Sequence, residues 1–563
     1  MEYDLTTKPW IPVIDVHGKT LEVGLREALT ASHQLHAIRD PLPTVEFGLY
    51  RLLVAFALDV FFLEPGIALD TNSLGSVYHV GRFDPDRLEA YFTEHGPKFD
   101  LFGSHPFLQT AGMEGADKPL AGLLPPVPSG TGATHFHHGP EKAFSVAPDA
   151  AARLLASISP FMTAGGAGLS PSINGAPPFY VLVTGSNLFE TICRNLFAID
   201  LRLSTGKEPP AWRSARIVGG ARCKTASYAQ SLTWQPRRLR LIPGDGGICS
   251  LTGRPAPILV HAMKFGPGDS CDFAWEDPNC AYRFDEKEAD PAKVRKVMRP
   301  RPGREVWRDT GPLALLRHGD HGGENNRMRF QRPRVLDQLS YLGGAEGFGL
   351  TVYGMRTDLK MKVYEWQREP LDAPGGLVLR TEPNNPLQWE AQQAMDRAEK
   401  AASALRQIIK IAYPRDGKGN DSALRAVQDA AERDYWRELR ETAHDAEERK
   451  DQSYSYRELL QDLAALQSTD LTRLQVAQEN WKIAVTQAAR KAAQPALNAY
   501  DTGHAALERQ TRALLRLEIS LLLNFETIKE RQTREQRRKD RQKAARIAAK
   551  PPRPRPARGE PIP

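Results

Sequence analysis

Cysteine is scarce in this chain. Five residues in 563 (Cys193, Cys223, Cys249, Cys271 and Cys280) leave one over from any full set of disulfides, so a reduced, cytoplasmic compartment is expected. A membrane-length apolar run is missing too. The most apolar window, FGLYRLLVAFALDVFFLE, carries Arg51 and Asp59 inside it, which suits a buried helix and gives no membrane partner. The opening residues, MEYDLTTKPW, lack the basic and apolar regions of a signal peptide. Enzyme templates fail as well: there is no G-x-x-x-x-G-K-[ST], no H-E-x-x-H and no G-x-S-x-G. Nor does the body of the chain carry excess charge of one sign. From Lys529 onward 4 Lys and 9 Arg face 3 Glu and 1 Asp, a net of +9, against +7 for the whole chain, which leaves about −2 for residues 1–528. Nucleic-acid contact in the body must therefore rest on local patches.

What is present points to an α+β protein. At 563 residues with 41% apolar and 25% charged content, the chain is soluble in composition and too long for one core. KPWIPVIDVHGKTLEV predicts two strands around a His17-Gly18 turn, and GLREALT and the apolar window predict helices. Between about 100 and 380, Gly and Pro are dense and short β-rich runs such as PPFYVLVTG, RRLRLIP and GFGLTVYGMRT are separated by irregular stretches. After EPNNPLQ the composition shifts to Ala, Leu, Arg and Glu at helical spacing, with helices expected near 388–413, 421–449, 454–491 (broken at STD) and 503–546. The expected organisation is a loop-rich mixed α/β domain over 1–380, a bundle of about four helices over 381–528, and a basic, Pro-rich, partly disordered tail over 529–563.

Three clusters carry chemistry. FMTAGGAGLSPSINGAPP places Gly165, Gly166, Ala167 and Gly168 in succession, a bare backbone suited to a turn or to close packing. THFHHGPEK brings His135, His137 and His138 near Glu141, a weak metal set and the basis of an alternative reading as a metal-dependent nuclease. Phe136 among them suits stacking on an unpaired base. Cys249, Cys271 and Cys280, with His261, form a weak zinc candidate; CSLTG lacks the second cysteine of a knuckle, and the expectation is no cofactor. In WQPRRLR, Trp234 reads as core and Arg237, Arg238 and Arg240 as a basic strand side, while Trp10, Trp307 and Trp366 read as packing.

KPWIPV, PLPTVEFGLYRLLVA, HPFLQT, LTWQPRRLRLIP, REVWRD and YGMRTDLKMKVYEW, in that order ahead of a helical bundle, resemble the large subunit of the type I-E CRISPR Cascade complex, the CasA family, over residues 1 to about 525. The resemblance implies a subunit that is not an enzyme. It implies recognition of the protospacer-adjacent motif (PAM) on double-stranded DNA, help in opening the duplex for R-loop formation, and presentation of the displaced strand to a helicase-nuclease. The partners implied are target DNA, the 5′ handle of the CRISPR RNA, and the backbone, guide-end-holding and small subunits. A scaffold without DNA contact is the remaining alternative. On this resemblance Gly165 to Gly168 form a thin edge able to enter a minor groove, where information is essentially A·T against G·C. Lys264 in HAMKFGPG matches the PAM-contacting lysine. Asp358 and Leu359 in GMRTDLKMK match the hairpin wedge, which is usually an amide, so this chain departs from the pattern there; Arg356, Lys360 and Lys362 flank them. Phe136 and His137 match the loop that meets the guide RNA handle and a neighbouring subunit.

Overall fold

The computed structural model describes residues 2–124, 144–165, 168–198, 206, 208–214, 222–285, 288, 294–317, 328–342, 347–357, 363–380, 385–413, 421–440, 454–467, 469–498, 503–526 and 528–548. Two compact units are present: Met1–Ala391 with Leu463–Ser468, and Gln392–Asp462 with Thr469–Pro563.

The first unit is built around one helix. Pro43–Leu58 is apolar on every side, and 15 of its 16 residues are buried. Its Phe47 stacks on Tyr180 with ring centroids 4.6 Å apart and meets Phe161 and Tyr353 edge-on or tilted. These rings come from the Pro148–Phe161 helix and from two strands of a three-stranded antiparallel sheet, Val363–Pro370 beside Gly349–Thr357 beside Tyr180–Thr184. Ile11–Asp15 lies between Thr20–Val23 and Leu35–Ile38, and the turn joining the first two places Gly18 at φ +85. The longest pairing joins Arg237–Ile248 to Pro255–Pro267, with Arg237 opposite Pro267 and Arg240 opposite Lys264.

Both charges in the apolar window find partners, which is why a charged segment can sit in a core. Arg51 bonds to Asp277 at 2.7 Å, and Asp59 accepts from Arg213 and Tyr91 at 2.5–2.8 Å.

In the second unit four helices alternate in direction. Pro386–Ala412 runs antiparallel to Asp421–Arg440, as the bonds Tyr435 Oη to Ala398 O (2.9 Å) and Gln428 Nε2 to Arg406 O (2.7 Å) require. His504–Asn524 runs antiparallel to both Pro386–Ala412 and Leu471–Asn498, through Asn524 to Arg397 O (2.7 Å), Arg509 to Ala412 O (3.3 Å) and the Arg490–Glu518 pair (2.7 Å). Trp481, 1% exposed, donates to Ala394 O at 2.8 Å. Thr469 and Asp470 lie in the gap between Tyr456–Ala465 and Leu471–Asn498, so the helix breaks at STD as expected. Ile528–Ala548 is a separate helix, and the Pro-rich end beyond it lies outside the described residues. The α+β class and helical C-terminal region expected from the sequence are what the structure has. No helix among the described residues is long and apolar enough to cross a membrane.

Candidate nucleic-acid interface

The glycine segment follows the Pro148–Phe161 helix, which ends at Met162, whose N–H donates to Ile158 O at 3.2 Å. Ser172 N–H donates to Met162 O at 2.8 Å and Gly165 N–H to Leu169 O at 3.0 Å, so the loop is closed at its base by its own backbone. Gly165 is half-buried, and Gly168 is exposed at φ +81 with nothing within 4 Å of where a Cβ would stand. Glycine is thus required at 168 by backbone conformation rather than by internal crowding. Gly166 and Ala167 lie outside the described residues.

Arg237 holds this loop. Its guanidinium donates to Thr163 O at 2.6 Å, to Pro236 O at 2.9 Å and to Ser170 O, clamping both legs. The sequence pattern had grouped Arg237 with Arg238 and Arg240 on one basic face. Strand alternation corrects this: Arg237 shares the buried side with Leu239 and Leu241, whereas Arg238 and Arg240 point the other way. Burial without a carboxylate partner pulls the Arg237 pKa down to about 10. Arg237→Met keeps most of the packed volume while removing three donated bonds. Exchange of the Gly165 and Ser172 amides is expected to quicken at least tenfold, about 1.4 kcal/mol, with the thermal midpoint within a few degrees. Unchanged exchange at those two amides would remove Arg237 from its anchoring role.

Lys264 stands on the opposite face of the same hairpin, directly across from Arg240. Two cations so placed repel. Among the described residues Lys264 Nζ bonds only to Gly115 O, at 3.1 Å, and Arg240 bonds to Phe102 O at 3.2 Å, its pKa lowered by burial with Asp100 offsetting in part. Among the described residues no carboxylate oxygen lies within 4.0 Å of Lys264, Arg238 or Arg240, so none of the three is ion-paired there, although Asp100 acts on Arg240 at longer range. Arg237 and Arg240 are three residues apart, about 10 Å along the strand. The hairpin therefore carries the glycine loop's anchor and the lysine close together on opposite faces, with no hydrogen bond between loop and lysine among the described residues.

Arg356 lies near the end of Gly349–Thr357, bonded to Glu365 at 3.2 Å, with its guanidinium 5.2 Å from the Tyr364 ring centroid. Asp358, Leu359, Lys360 and Lys362 lie outside the described residues, as do His135, Phe136, His137, His138 and Glu141. The zinc candidate does not assemble. Cys280 is buried beside the Arg51–Asp277 pair, with its thiol pushed well up by burial. Cys271 pairs in register with Cys223, and Cys249 sits where the long hairpin turns. His261 is exposed, its ring 3.1 Å from Asp245 O. Among the described residues the only three metal-ligating groups within 4.8 Å of one another are Glu64, Glu94 and His95, and none of these was a candidate.

Sequence reasoning also misplaced Trp366. Trp10 is fully buried and Trp234 4% exposed, as expected of core residues, but Trp366 is 38% and Tyr364 56% exposed. On Val363–Pro370 the half-buried set is Val363, Glu365, Gln367 and Glu369, and the exposed set is Tyr364, Trp366, Arg368 and Pro370. An aromatic set alternating with an acidic one reads as inward-facing; this strand reverses that expectation.

The family model for CRISPR-associated protein Cse1 matches residues 4–492. The chain belongs to the Cse1 family. This is the CasA family that its six ordered motifs resemble, the large subunit of Cascade. A CasA/Cse1 protein of Thermus thermophilus is 29% identical over 426 residues, 73% of this chain and 76% of the relative. The crystal structure of Cse1 from Acidimicrobium ferrooxidans is similar at a TM-score of 0.70 and 24% identity, covering 93% of this chain and 98% of that one. A chain of a CRISPR RNA-guided surveillance complex shares the fold at a TM-score of 0.66 and 17% identity, covering 92% of this chain and 99% of that one. The Cse1 fold thus extends over both compact units.

Proposed function

We propose that this Cse1-family chain is a non-catalytic subunit of a CRISPR RNA-guided surveillance complex that reads the PAM of duplex DNA through the minor groove. The observation that carries the reading is the exposed Gly168, held at φ +81 in open space on a loop whose base is clamped by Arg237. A loop of that form presents bare backbone at Gly168. Its main chain approaches base edges where a side chain would collide with the groove walls. Lys264, without an ion-pair partner among the described residues, supplies a donor or point charge for groove acceptors or phosphates.

Opening follows from a small energy difference. Exchange of a DNA duplex for an RNA–DNA hybrid is nearly balanced, so protein contacts need only stabilise the first separated steps. Leu359, with Asp358, Arg356 and Lys360 around it, takes the wedge position. The departure from an amide leaves an apolar side chain, which unstacks a base step without hydrogen-bonding it. A helicase-nuclease then acts on the displaced strand. Phe136 and His137 meet the guide RNA 5′ handle, and the backbone, guide-end-holding and small subunits complete the assembly. Binding of the assembled complex to duplexes with randomised flanking bases tests the reading: indifference to those bases would overturn it.

The bundle carries its own support for protein partners. Ala506, Ala513, Leu517 and Leu521 turn inward from His504–Asn524, while Leu507, Leu514, Leu515, Ile519, Leu522 and Leu523 remain exposed, Leu522 at 71%. Such an apolar stripe is a protein-docking surface. Leu515→Lys with Leu522→Lys is expected to lower incorporation into the reconstituted complex at least tenfold while shifting stability by about 0.5 kcal/mol or less. Native mass spectrometry and thermal unfolding read the two effects separately.

A further inference from the structure

We propose that the exposed rings of Tyr364 and Trp366 on Val363–Pro370 are a stacking platform for unpaired bases of the strand displaced from the duplex. The inference rests on the DNA-opening reading above and adds a binding surface to it. Tyr364 and Trp366 are the exposed aromatic pair on this strand, and two rings offered to solvent on alternate residues are set up for contact with something flat.

The local geometry favours a single strand. Arg356 is opposite Glu365 and Thr357 is opposite Val363, so Tyr364 is the extra residue of a β-bulge. Bulges of this kind re-aim side chains and gather beside functional sites. Side chains two residues apart on a strand are about 6.6 Å apart. Stacked duplex bases, at about 3.4 Å per step, cannot seat one base on each ring, whereas an extended single strand can. Val363–Pro370 is also the outer strand of its sheet among the described residues.

Charge points the same way. From Arg356 to Arg368 the sequence holds four cations (Arg356, Lys360, Lys362, Arg368) against Asp358 and Glu365, a net of +2. Arg356 is fixed against the Tyr364 ring and Glu365. Arg368 is held at 3.1 Å by the buried Glu46, so among the described residues it is Arg356 that keeps station beside a ring. An aromatic pair with a cation at one end suits a phosphate-linked string of bases.

The test uses the full chain and a 12-nucleotide oligothymidine carrying one 5-iodouridine, followed by fluorescence anisotropy and photocross-linking. Tyr364→Ala and Trp366→Ala are each expected to weaken binding about tenfold, and Trp366→Phe to restore most of it. Cross-links are expected at Tyr364 or Trp366. Affinity within twofold of the parent for both alanine variants, with thermal unfolding unchanged, would overturn the platform. So would alanine variants that keep the oligonucleotide but shed a Cascade subunit, which would make this face a protein edge. Failure here leaves PAM reading untouched if the assembled complex still discriminates flanking bases. Loss of that discrimination as the parent's own behaviour, with the oligonucleotide still stacking, would instead fail the function proposed above.

Discussion

Gly168→Val in the assembled complex is expected to cost roughly 100-fold in affinity for a duplex with the preferred flanking bases, about 2.7 kcal/mol, and to flatten the preference itself. Two effects add. A β-branched residue at φ +81 strains the backbone by about 1–2 kcal/mol, and its methyls widen an edge that must fit a groove about 6 Å across. Nothing inside the protein opposes the new side chain, because no atom lies within 4 Å of its Cβ position. Folding and binding can therefore be separated with one control. Gly18 has φ +85, also in open space, in the turn between Ile11–Asp15 and Thr20–Val23. Gly18→Val carries a like backbone penalty far from the loop in sequence and should lower the thermal midpoint by a similar few degrees while leaving discrimination intact. Gly165→Val, on a half-buried residue, is expected to add to the loss. Undiminished discrimination in both loop variants would sink the minor-groove reading.

The elements that were legible in the sequence are those with a single dominant signal. The Pro43–Leu58 helix was visible because its apolar run has no polar side, and the four long bundle helices because Ala, Leu, Arg and Glu recur at helical spacing between breakers such as STD. The strand cores RRLRLIP and GFGLTVYGMRT were visible from β-branched and aromatic content, although Arg237–Ile248 runs on through Pro243 and three glycines that look like a turn. What was not legible depends on which side of a strand meets the core. Arg237 could be placed inside only by knowing that Thr163 and Ser170, 74 and 67 residues away in sequence, present carbonyls to it. Trp366 could be placed outside only by knowing that its strand is an outer one with a bulge at Tyr364. Both depend on long-range pairing, which local periodicity does not encode.

Asp277→Ala is expected to be the most destabilising single change in the first unit, at about 3–5 kcal/mol, because it strands the Arg51 guanidinium in the core. Arg51 and Asp277 are 3% and 0% exposed and 2.7 Å apart. Burial alone would pull the Arg51 pKa down; Asp277, helped by Tyr180 and Cys280, more than offsets it and holds it above its ordinary value. Against a typical total stability of about 5–15 kcal/mol, such a loss shifts a denaturant midpoint plainly with little change in slope. Arg51→Met combined with Asp277→Ala removes both charges and should recover most of the loss, since apolar replacement of a buried pair is often neutral. The same carboxylate has a second task. Its Oδ2 accepts from Asn174 Nδ2 at 3.0 Å, in the Ser172–Gly175 turn that ends the glycine segment. The double variant restores core electrostatics without restoring that bond, so stability should return while flanking-base discrimination stays reduced, about tenfold below the parent. A double variant that recovers both together would show that Asp277 serves the fold alone. A single variant costing less than about 1 kcal/mol would show that the pair is not the electrostatic centre of the unit.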